Sequence, residues 1–287
     1  MAINKIVAQF KRELWENRIS FLWAPVIFAI LLFGASCWLM LNHDIAANIE
    51  LARQGENAVP LLSSIYQVVS CALFLLVFAV VIAVYAHGTL FSDRKSREIL
   101  FWRSMPVSEA TNVLVKLAMV CVVVPLIIFV VTLAGAILFA LLLGAMNSDF
   151  EKLWDALKAL SLSVDLLGRC FIVALLVSPI IVWNLFCSAL ARRSPVIISV
   201  AVPLAVWVVD ASAQKYLAIN LFFKDALAAY LHLIKATIKR INVDSGTSVA
   251  DMDLFTNVDP RVTSVALLIS VLLIIATIWL RNNRYEI

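Results

Sequence analysis

Long apolar runs separated by short charged clusters dominate the chain. Six runs stand out, at residues 21–41, 65–85, 117–143, 166–190, 196–213 and 262–280. A helix needs about 20 apolar residues to cross ~30 Å of hydrocarbon, so each run reads as a membrane span. The fifth is the shortest and contains Pro203, and residues 216–223 could lengthen or displace it. Before the first span, residues 1–20 form an amphipathic pattern. Ile3, Ile6, Val7, Phe10 and Leu14 recur at helical spacing, with Lys5, Gln9, Arg12, Glu13 and Glu16 largely away from that stripe. Such a helix can lie in the membrane interface, or simply extend the first span outward. The polar connections are residues 42–63, the segment 146–163 with Asp149, Glu151, Lys152, Asp155 and Lys158, read as helical, and the long region 214–261. Within the last, Leu227, Leu231, Ile234, Ile238 and Ile241 share a helical face beside Lys235, Lys239 and Arg240, which predicts a second interfacial helix.

Composition turns this pattern into a class. The 287 residues are 63% hydrophobic and 15% charged, against roughly half and a quarter in soluble domains, and mean hydropathy is +0.98. The fold class is therefore all-α, a polytopic membrane protein with six spans. A cleaved signal peptide is not expected, because the first apolar run exceeds the usual h-region. Gly34-Ala35-Ser36-Cys37 lacks the aliphatic residue expected before a lipoprotein cleavage site. Five cysteines lie inside or at the edges of apolar runs with no CxxC, so they read as small buried hydrophobes rather than a disulfide framework or metal site.

Charge sets the orientation. One side of a six-span topology collects the N-terminus, the central loop, the 191–195 turn and the C-terminus. It holds thirteen Lys and Arg against six acids, a net of about +7. The remaining ten basic and thirteen acidic residues leave the other side at about −3. The first side is read as cytoplasmic, with both termini inside.

Few residues offer chemistry. No glycine precedes a lysine, so the P-loop G-x-x-x-x-G-K-[ST] that cradles nucleotide phosphates is missing, and the chain itself is expected to hydrolyse no ATP. His43, His87 and His232 are isolated and fall on different sides, which does not fit H-E-x-x-H metalloprotease geometry. His87 reads as an interfacial polar tip. Asp165 and Arg169 are four apart on one helix face and can pair, either structurally at the outer end of the fourth span or along a substrate pathway. Asp210 reads the same way, and Asn184 as a helix–helix bond or a pathway residue. A proton relay through the membrane centre, as a secondary transporter would want, is not visible.

The central stretch 92–116, SDRKSREILFWRSMPVSEATNVLVK, is both basic and apolar. It can be a membrane-surface helix meeting anionic headgroups. It can also insert into a groove on a soluble partner, since Phe101 and Trp102 beside Arg97 and Arg103 are anchor types enriched at protein interfaces. Pro106 biases Met105 away from helix, Ser108 can cap the next helix, and Glu109 suits its first turn. That is a shaped corner rather than a floppy tether.

At these residues the chain resembles the ABC-2-type transporter permeases. Asp93-Arg94-Lys95 through Leu100, then Arg103-Ser104-Met105-Pro106-Val107-Ser108 and Val113 to Lys116, is similar to that family's loop between spans two and three. There an acidic-basic cluster leads to an L-x-S-x-P-[VI]-S turn, an aliphatic pair and a lysine. Two departures are present: Arg97-Glu98 replaces a common glycine-threonine, and Glu109 stands where a basic residue often follows P-V-S. By motif the resemblance covers about 25 residues, and by topology nearly the whole chain.

The resemblance implies a cytoplasmic coupling helix between spans two and three and a large outer region between spans five and six. It implies the membrane subunit of an ATP-binding-cassette exporter in the bacterial inner membrane. Two such subunits, identical or related, would pair in the bilayer, each docking a separately encoded ATPase that binds ATP and Mg. The chain itself would carry no cofactor, and nucleic acid is not an expected partner. Docking falls to Asp93, Arg94, Arg97, Glu98, Leu100, Phe101, Trp102, Arg103, Met105, Pro106, Val107 and Ser108, with Asp165, Arg169 and Asn184 as pathway candidates. The alternatives are a non-transporting anchor or sensor that recruits a cytosolic protein through the same loop, or a secondary transporter.

Overall fold

The computed structural model describes residues 2–41, 58–95, 108–147, 160–217, 223–239 and 260–283. Among these the protein is all helix, as a chain that must satisfy every backbone group inside lipid has to be. The helices are α1 (Ala2–Glu16), α2 (Ala24–Leu41), α3 (Ala58–Lys95), α4 (Glu109–Ala118), α5 (Val124–Asn147), α6 (Leu160–Leu190), α7 (Pro195–Leu217), α8 (Phe223–Lys239) and α9 (Pro260–Asn283). Six stretches are long and apolar enough to cross a membrane: 19–39, 63–95, 109–142, 163–190, 195–216 and 263–283. The chain is a multi-pass membrane protein.

The second and third spans are longer than the apolar runs that predict them. At 33 and 34 residues they extend about 50 Å, well beyond ~30 Å of hydrocarbon. Much of the stretch 92–116 is thus not loop: residues 92–95 end α3 and 109–116 belong to α4. The reason is local. Ser108, at φ −75° and ψ 147°, takes the N-cap position, and its Oγ accepts from the Thr111 amide at 3.2 Å. The helix therefore starts eight residues before the apolar run does. The fifth span likewise runs on to Leu217. Most of the polar segment 146–163, the region 42–57 and the residues from Arg240 to Asp259 lie outside the described residues.

Prolines shape the interior of the spans. A proline removes one amide and crowds the carbonyl four residues earlier. Pro25 and Pro125 each follow a five-residue π-helical turn, Ile19–Trp23 and Met119–Val123, in which Ala24 and Val124 bond back to Ile19 and Met119. The wider turn accommodates the crowded carbonyls of Phe21 and Cys121. Deeper in, Pro179 frees the Leu175 carbonyl, which accepts instead from Ser178 Oγ at 2.7 Å. Pro203 frees the Ser199 carbonyl, which accepts from Trp183 Nε1 at 3.1 Å. Each freed carbonyl is taken by a neighbouring donor, as hydrocarbon requires.

The core lies between the second, third and fourth spans, where Phe74, Phe78, Met119, Ile128 and Leu185 are fully buried. Phe28 of α2 packs edge-on against Phe74 at 5.0 Å. Gly135 leaves room for Tyr66, whose hydroxyl would stand 2.9 Å from a Cβ there, and whose ring stacks on Phe139. The first and fifth spans are peripheral and turn Ile30, Leu31, Trp38, Ile197, Val200 and Val209 outward.

Described residues of α1, the termini of α3 and α4 flanking residues 96–107, the 191–194 turn and the end of α9 meet at one end of the bundle, here called the base. At the other end, α8 leans into the bundle. Its Tyr230 hydroxyl donates to the Leu176 carbonyl, midway along the fourth span, and the Lys224 amide donates to Asp210 Oδ2 at 2.8 Å.

Candidate functional site

Charges inside a membrane protein are costly unless paired, so buried ones locate what the fold is built to hold. The largest group lies at the base. Glu13, Lys116, Asp93 and Arg281 are between 0% and 6% exposed, although they come from α1, α4, α3 and α9. Lys116 Nζ donates to Glu13 Oε1 at 2.8 Å and to Thr89 Oγ1 at 2.7 Å, and Asp93 Oδ2 stands 3.5 Å away. Arg281 bonds Glu109 Oε2 through Nε at 2.8 Å and lies 3.6 Å from Asp93 Oδ2 through Nη1. Arg12 donates to Glu13 Oε1 at 2.7 Å and reaches Glu16 at 3.2 Å, and the Tyr85 hydroxyl donates to Glu13 Oε2 at 2.9 Å.

The network is nearly balanced in charge, with Arg12, Lys116 and Arg281 facing Glu13, Asp93, Glu109 and the half-exposed Glu16. Burial by itself raises the Glu13 carboxyl, but Lys116 and Arg12 outweigh it and hold the group below its ordinary value. Asp93 Oδ2 is the loose joint: it sits between two cations, and no described residue hydrogen-bonds it.

A second hub ties the second, fourth and fifth spans at the same end. Arg94 Nη2 donates to the Ser188 and Ala191 carbonyls at 2.7 and 2.8 Å, covering the C-terminal carbonyls of α6. Ser188 Oγ donates to the His87 carbonyl and accepts from the Phe91 amide. His87 is more than an interfacial tip: its Nδ1 lies 2.6 Å from the Ala83 carbonyl and its Nε2 2.7 Å from Ser199 Oγ.

These two hubs position the ends of the stretch 96–107. On one side Asp93 and Arg94 sit within them; on the other Ser108 caps α4 and Glu109 is bound by Arg281. Of the residues expected at a docking surface, Asp93 is buried, Arg94 half-buried and Ser108 exposed. Arg97, Glu98, Leu100, Phe101, Trp102, Arg103, Met105, Pro106 and Val107 lie outside the described residues.

The distal candidates do not converge. Arg169 Nε donates to Asp165 Oδ2 at 2.9 Å as the i, i+4 spacing predicts. Asn184, half-buried on the same helix, is about 22–28 Å further along it. Asp210 is fully buried and holds the start of α8. Among the described residues no group of three or more His, Cys, Asp or Glu is placed to hold a metal ion.

The basal network was not read from the sequence. The amphipathic pattern puts Glu13 on the polar face of the first helix, yet it turns inward while Ile6, Val7 and Trp15 face out. The available signal was Lys116 inside the apolar run Val113-Leu114-Val115-Lys116-Leu117-Ala118, which demands a buried counter-charge. No family model, curated protein or solved structure matches the chain.

Proposed function

We propose that this chain is the membrane-spanning subunit of an ATP-driven exporter of the ABC-2 permease type. In this reading the base of the bundle is cytoplasmic, residues 96–107 form the coupling element, and a separately encoded ATPase docks there with its ATP and Mg. Phe101, Trp102 and Pro106 would supply the anchors and the shaped turn. A second permease subunit completes the pathway in the bacterial inner membrane. The cargo is amphipathic or lipophilic: a drug, a peptide or a lipid-like molecule.

The observation that carries the proposal is the mounting of residues 96–107. Both flanks are seated in buried ionic and hydrogen-bonded hubs that join α1 and the second, third and sixth spans, with Arg94 adding the fourth. A push on this stretch would be delivered to most of the bundle at once. A mere recruiting tether needs no such base, and this favours transport over the anchor reading.

The test is co-purification from native membranes with the tagged full-length chain. The wild type is expected to bring down a P-loop ATPase, and the variant carrying Phe101→Ala, Trp102→Ala and Pro106→Ala to lose it while still inserting in the membrane. Undiminished ATPase recovery would sink the docking claim.

A further inference from the structure

We infer that Cys71 and Cys170 form a redox-modifiable pair, able to close into a disulfide that staples the second span to the fourth. Their sulfurs lie 3.7 Å apart although the residues are 99 positions apart in sequence. Both side chains are buried, at 1% and 3% exposure. The register that brings them together is fixed on the distal side of the pair. Gln67, one turn before Cys71, donates through Nε2 to Ser163 Oγ, two turns before Cys170. Closure needs the sulfurs to approach by only about 1.7 Å, to the ~2.05 Å of a disulfide bond. Cys121 is partly exposed and Cys37 likewise, and no sulfur–sulfur contact joins Cys37, Cys121 or Cys187 to another described cysteine.

The site is enclosed by protein and lipid, so charged reductants and oxidants of the aqueous phase are kept out. Hydrogen peroxide, small and uncharged, is the oxidant that fits. One sulfur attacks the O–O bond, giving a sulfenic acid and, with the thiol proton, one water. The second sulfur then displaces that hydroxyl: the S–O bond breaks, the S–S bond forms, and the departing hydroxide takes the second thiol proton as a second water. Two thiols are oxidised and one peroxide is reduced to two waters. The staple would freeze the second span, which carries Asp93 and Arg94, against the fourth. The inference stands on the thiol geometry and does not depend on the exporter reading.

The experiment treats the full-length protein in its native membranes with hydrogen peroxide, then denatures it and counts alkylatable thiols by intact mass. Untreated protein should show all five and treated protein two fewer. A peptide joining Cys71 to Cys170 should appear in the non-reducing digest, and a phosphine reductant should restore all five. Cys71→Ser should abolish the loss of the paired thiol at Cys170. Five thiols surviving peroxide, a disulfide to a different cysteine, or loss by irreversible sulfinic acid would each overturn the inference.

Discussion

Lys116 shows what a single residue does in this fold. It is 1% exposed, and its ammonium is shared by Glu13, Thr89 and Asp93. Removing one member of a buried ion pair leaves an uncompensated charge, which costs about 3–5 kcal/mol. Lys116→Met should therefore lower the unfolding temperature in detergent sharply. Adding Glu13→Gln to it should recover part of the loss, because the two effects are not additive. Glu13 also predicts a pH dependence. Its folded value lies below the ordinary 4.5, so the stability it contributes is present above that value and lost as pH falls through the depressed one. Wild-type protein should lose stability below about pH 4.5 more steeply than Glu13→Gln; parallel acid limbs would remove Glu13 from the account. At this scale the sequence was legible only in part. The Ser108 cap and the Asp165–Arg169 pair are local and follow from spacing. The partners of Lys116 come from two other helices and could be demanded by its apolar setting, though not named.

Elements were more legible. Six apolar runs predict six spans because hydrocarbon thickness sets a length that composition must meet. Their ends were less so, since a capped helix can continue past its apolar run, as α4 does back to Glu109. The π-helical turns before Pro25 and Pro125 follow from proline chemistry once the carbonyl at i−4 is considered. Compensation at the inner prolines makes a sharper prediction. Trp183→Phe removes the donor to the Ser199 carbonyl and should cost about 1–3 kcal/mol, measured by thermal unfolding. In a Pro203→Ala background residue 203 regains its own amide, and the same Trp183→Phe change should then cost clearly less. Equal costs in both backgrounds would show that the indole bond does not compensate Pro203. The placement of α8 was not legible, because its contact to Leu176 depends on Tyr230 meeting a carbonyl three residues before Pro179.

For the whole molecule, the charge asymmetry along the sequence and the gathering of α1, the 96–107 flanks and the end of α9 agree on one polarised bundle. Its middle is apolar and its base is an ionic keystone spanning four elements. Glu109 illustrates the link between scales: a departure from the loop pattern of the resembled permeases, it is the residue that binds Arg281 and ties the sixth span to the third. The central claim is that force enters at 96–107 and passes through this base. The most direct measurement is ATP hydrolysis by the co-purified complex in lipid vesicles, with wild-type chain and with Asp93→Asn, which slackens the joint between Lys116 and Arg281 without touching an exposed surface. The account predicts that the wild-type complex is stimulated several-fold by amphipathic compounds and that Asp93→Asn retains the docked ATPase but loses the stimulation. Equal stimulation of both, or a wild-type chain that brings no ATPase with it, would contradict the account.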